Sequence, residues 1–123
     1  MTRAVEVPEL TDEDVCEAVQ TALTYAKRPG VKVDVIFVDD PTVTDVMAFD
    51  YTQAEGEADP EAEVYVSADR ARAVAGERGE APRRELLLYV VHGALHLCGM
   101  DDHEEGPRQE MRAAEAAVLA LLT

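Results

Sequence analysis

Cysteine, positive charge and long apolar runs are all scarce in this chain of 123 residues, and each scarcity removes a class of protein. The two cysteines, Cys16 and Cys98, share no C-x-x-C spacing, so nothing supports a disulfide framework and both are expected to be reduced thiols. No apolar stretch is long enough to span a bilayer, and Met1-Thr2-Arg3 does not lead into the apolar core of a signal peptide. No membrane partner and a cytoplasmic location are therefore expected. Only 11 Lys and Arg stand against 26 Asp and Glu, a net charge of −15. Such a field repels polyanions at long range, so a nucleic-acid partner requires a locally basic groove. The acid surplus is otherwise that of a solvated surface, as in a salty cytoplasm where repulsion is screened.

What is present describes an ordinary folded protein: 47% hydrophobic residues in a length that suits one domain over residues 1–123. There is no repeat or low-complexity segment. A short strand is expected at Ala4 to Val7. Thr11-Asp12-Glu13-Asp14 then offers an N-cap and an acidic first turn. The apolar positions Val15, Ala18, Val19, Ala22, Leu23 and Ala26 recur at helical spacing until Pro29-Gly30. Strands are expected at Val33 to Val38, Asp45 to Tyr51 and Val64 to Ser67, with an acidic solvated connector before the last. A short helix to about Ala75 and a turn at Gly79 to Pro82 lead into a second long helix. Its Leu86 to Val91 segment is apolar all round and should be buried on nearly every side. A final helix is expected from Pro107, with Met111, Ala114, Val118 and Leu122 as its packing face.

All three histidines of the chain fall between His92 and His103. His92 and His96 are four apart on an otherwise apolar helix, so both imidazoles project from one face and can share a cation. Gly99 can end that helix and turn the chain back. The spacing H-x3-H-x2-G-x2 then brings Asp102 to the third-ligand slot of a metzincin-like pattern, whereas His103, one residue on, is the more usual zinc ligand. Either completes a site of three protein ligands, which leaves a fourth position for water and points to hydrolysis by zinc. His92 and His96 are accordingly the expected catalytic pair. Gly93 stands where H-E-x-x-H proteases carry their general base, which weakens peptide hydrolysis as a reading. Cys98 is turned away from the histidine face and is expected to pack in the core.

The run His92-Gly-Ala-Leu-His-Leu-Cys-Gly99 followed by Met-Asp-Asp-His resembles the H-G-x-L-H-L-x-G-Y-D-H signature of the YbeY family, metal-dependent endoribonucleases of rRNA maturation. Thr44 to Phe49 is similar to that family's T-D-V-L-S-F strand, and Val64 to Asp69 to its next strand and helix start. The resemblance implies an α+β fold, with a small mixed β-sheet packed by helices and a central helix carrying the histidines. It implies a single-strand-specific endoribonuclease acting on small-subunit rRNA and the ribosome, with one zinc held by His92, His96 and either Asp102 or His103. Asp101 would orient a ligand from behind. Met100 replaces the usual Tyr, and only Pro41-Thr-Val stands where the family carries a longer segment with a basic residue. Arg70, Arg72, Arg78, Arg83 and Arg84 are the remaining candidates for phosphate contacts, or else exposed helix-end arginines. The rivals are another zinc hydrolase of metalloprotease type and a non-catalytic, metal-stabilised ribosome assembly factor.

Overall fold

The computed structural model describes residues 2–3, 6–28, 30–39, 46–50, 61–100 and 105–122. The elements in chain order are β1 (Thr2–Arg3), α1 (Asp12–Tyr25), β2 (Val33–Val38), β3 (Val46–Asp50), β4 (Ala62–Ser67), α2 (Ala68–Arg78), α3 (Pro82–Leu97) and α4 (Glu105–Leu122). The strands form one mixed sheet in the order β1-β2-β4-β3, parallel except for the antiparallel β3/β4 pair. This is the α+β arrangement that the resemblance implied. Among the described residues no helix is long and apolar enough to cross a membrane.

Local sequence explains the ends of the helices. Thr11 and Asp14 cap each other's backbone N–H groups in a capping box at the start of α1. At the other end Lys27 adopts a left-handed φ of 62°, and Arg28 N–H reaches back to the Leu23 carbonyl, so the helix stops ahead of the expected Pro29-Gly30. α2 runs beyond Ala75 to Arg78, and left-handed Gly79 closes it. α4 starts at Glu105 and carries Pro107 within its first turn, where a missing N–H costs no intrahelical bond. The first described strand pairs at Thr2–Arg3, and Glu6 and Val7 of the expected Ala4 to Val7 strand are not in one. Val7 is buried without belonging to a strand, and Ala4 and Val5 lie outside the described residues. The acidic connector before Pro60 lies outside them too.

The inner face of the sheet follows the period of two: Val35 and Phe37 of β2 sit in register with Val64 and Val66 of β4, all buried. α3 covers this face and also touches α1, α2 and α4. Leu86, Leu87, Val90, Val91, Ala94 and Leu95 are buried, as the apolar run requires. Leu88 and Tyr89 are only half-buried, so one side of the helix stays open.

Gly93 marks the closest approach of α3 to the sheet. A β-carbon there would overlap Val64 Cγ1 and lie 2.9 Å from Val46 Cγ1. The absence of a side chain is thus a packing requirement, and a base at this position would have to displace Val64 and Val46 of the sheet. Gly93→Ala is expected to lower stability by ~1–3 kcal/mol, because overpacking outweighs the ~1 kcal/mol that alanine gains in helix propensity. Chemical denaturation measures this, and a variant more stable than the parent would contradict the packing argument.

Candidate active site

α3 delivers the histidines, and its C-terminus fixes where they stand. Gly99, at φ 89°, donates its N–H to the His96 carbonyl, and Met100 donates to that of Leu95, so the last turn closes as the glycine suggested. Arg28 adds a side-chain hydrogen bond of 2.6 Å to the Leu97 carbonyl and pairs with Asp50 of β3 at 3.1 Å. The end of the histidine helix is thereby tied to α1 and to the sheet. Cys98 packs half-buried against the core, and burial pushes its thiol up. Cys16 and Cys98 are both free.

The imidazoles of His92 and His96 lie nearly parallel, with an interplanar angle of 7° and ring centroids 6.5 Å apart. His92 Nδ1 sits 2.7 Å from Glu115 Oε1 on α4. An ionised carboxylate only accepts hydrogen bonds, so in this contact Nδ1 is the donor and carries the ring proton. That is the tautomer a metal-ligating histidine needs. His96, one turn on, is exposed and carries a second imidazole on the same face. Among the described residues no group of three or more His, Cys, Asp or Glu gathers around these rings. Asp101, Asp102 and His103 lie outside the described residues.

His92 and Glu115 border a cavity of about 480 Å³ between α2, α3 and α4. Four arginines line it: Arg70 and Arg78 from α2, Arg108 and Arg112 from α4. A chain with only 11 basic residues thus gathers four of them in one groove, the local concentration that a net charge of −15 demands of any polyanion binder. Glu85 lies beneath it, 2% exposed, with Oε1 3.5 Å from Arg78 Nη1. The contact joins Arg78 of the rim to a residue of α3.

The five arginines picked out from sequence therefore separate. Arg70 and Arg78 reach the cavity. Arg72 is bound to Glu9 at 2.7 Å and to the Glu6 carbonyl, while Arg83 holds Asp14 at 2.9 Å and the Glu9 carbonyl. Both fasten the segment before α1, and their guanidinium groups hold the Glu9 and Asp14 carboxyls below the usual carboxylate range. Arg84 is exposed and does not line the groove. Sequence reasoning missed Arg108, Arg112 and Glu115. Their spacing of i, i+4 and i+7 forms a polar stripe beside the buried Met111, Ala114 and Val118, which was the available signal.

Comparison with known proteins agrees with the histidine motif. The chain is 31% identical to a protein of Bacteroides thetaiotaomicron named Endoribonuclease YbeY, over 98% of this chain and 95% of that one. A protein of the same name from Chloroflexus aggregans is 38% identical over 92% of this chain and 80% of its own. One from Elusimicrobium minutum is 39% identical over 71% of each. The family model described as Endoribonuclease YbeY matches residues 3–123, and the chain, with its paired histidines and arginine-lined groove, belongs to that family.

Proposed function

We propose that this chain is a metal-dependent endoribonuclease that cuts single-stranded RNA at the groove bordered by His92, and that its substrate is small-subunit rRNA during ribosome maturation in the cytoplasm. Residues 1–123 act as one domain in this reading. The observation that carries it is the contact between His92 Nδ1 and Glu115 at the edge of a cavity lined by four arginines. His92 and His96 would hold one zinc together with Asp102 or His103, a nitrogen-rich donor set that suits zinc better than a hard cation. When bound, such an ion supplies Lewis acidity to polarise a phosphodiester and to activate water near neutral pH. The chain's own groups do the remainder. Glu115 holds the His92 ring and its tautomer, and the arginines bind and orient the phosphates and offset charge developing on them.

A peptidase reading loses support because position 93 packs against Val64 and Val46 and has no room for the general base of that chemistry. The direct test is incubation of zinc-supplied protein with one RNA sequence as a single strand and as a duplex. Internal cleavage of the single strand alone is expected. Cleavage of neither, with a peptide substrate cut instead, would overturn the proposal.

Glu115 gives this reading a check that does not depend on turnover. Glu115→Ala is expected to weaken zinc binding by about 10–100-fold, the usual effect of removing a carboxylate behind a ligating histidine. Competition with a chromophoric chelator reads it. Unchanged affinity would mean that the contact is only a link between α3 and α4.

A further inference from the structure

The groove combines two kinds of surface. Its exposed arginines form a charged rim, while Val74 and Met111 are buried beneath and Val46, Leu88 and Tyr89 are half-buried in its wall. A ligand made only of phosphate would need the rim alone. A nucleotide brings an anionic backbone together with a flat, largely apolar base, and so uses both.

Among the described residues Tyr89 carries the only phenol ring in the groove. It stands three residues before His92 on the same helix, one turn away and about 4.5 Å along the axis. Base–aromatic stacking tolerates every base, because each has a π-face, but it requires that face to be free. Bases inside a duplex are already stacked on their neighbours.

We propose that Tyr89 is a base-stacking residue: it takes an unpaired nucleobase adjoining the phosphodiester held at His92, and so makes the groove selective for single-stranded RNA. This rests on the reading of the groove as the RNA site. Arg70 and Arg112 would hold the backbone while the base lies against Tyr89, with Leu88 beside it. Selection then comes from a face that only an unpaired nucleotide can offer, with no base edge read, so tolerance of sequence is expected with it.

The test uses fluorescence anisotropy with the full chain and a short single-stranded RNA carrying phosphorothioate linkages to slow cleavage. Tyr89→Leu should bind about tenfold more weakly. Tyr89→Trp should match or exceed the parent. A single abasic nucleotide is then moved along the strand. At one position it should weaken binding to the parent by a similar factor while costing Tyr89→Leu nothing further. A loosened fold would instead weaken intact and abasic strands alike, so equal losses at every position would overturn the proposal. Unchanged affinity in Tyr89→Leu, with weaker binding in Arg70→Ala/Arg112→Ala, would also overturn it and leave the groove reading standing. If none of these variants changes affinity, the RNA does not occupy this groove and both readings fall.

Discussion

Replacing His92 and His96 together by alanine is expected to reduce RNA cleavage to background while leaving RNA binding within a few-fold of the parent. The argument is a separation of tasks within one groove. The positive charge that attracts RNA comes from α2 and α4, whereas the imidazoles come from the open face of α3. His92 is only partly exposed, its side chain 27% accessible, and its ring is held by Glu115. Its removal leaves that carboxylate without a partner, so some loss of stability is expected as well. Cleavage and anisotropy on the same preparation, with circular dichroism as a folding control, separate the effects. If binding fell as steeply as cleavage, the histidines would be structural supports of the groove.

Arg70→Ala/Arg112→Ala should have the opposite signature. Hydrogen bonds to charged groups are worth ~1.5–3 kcal/mol each, so binding should weaken by roughly tenfold or more per arginine at low salt. The salt dependence supplies a second reading. For single strands, log affinity falls with log salt by a slope of about 0.7 per phosphate neutralised, so losing two contacts should flatten it by about 1.4. Arg84→Ala changes the net charge in the same direction from an exposed position outside the groove and should leave the slope unchanged. Equal effects from Arg84 and the groove arginines would mean that RNA responds to overall charge and has no defined path. In a chain carrying −15 such an outcome would remove the main physical reason for placing RNA here.

Much of the frame was legible in the sequence because it rests on local periodicity. The apolar spacing of α1, the apolar run of β2 and the His92/His96 pair each follow from residues close together in the chain. Gly99 is similar, since a left-handed residue after an apolar helix ends it whatever lies beyond. The groove was not legible. Its arginines come from two helices that both pack on α3, and no local pattern states that meeting. Glu115 lies 23 residues from the histidine it orients, and Glu is common enough on a helix surface to pass as solvated charge. Gly93 was read only in part, for a related reason. The sequence shows that a base is missing there, and the fold adds that the position is the seat of the helix–sheet contact.

The most direct test of the central claim is elemental analysis of the purified chain, with single-stranded RNA cleavage measured on the same sample before chelation, after it, and after zinc is restored. The account predicts about one zinc per chain, loss of cleavage with the metal and its return on reloading. Protein prepared without chelator that contains no metal and yet cleaves RNA, or that holds zinc and never cleaves, would contradict it.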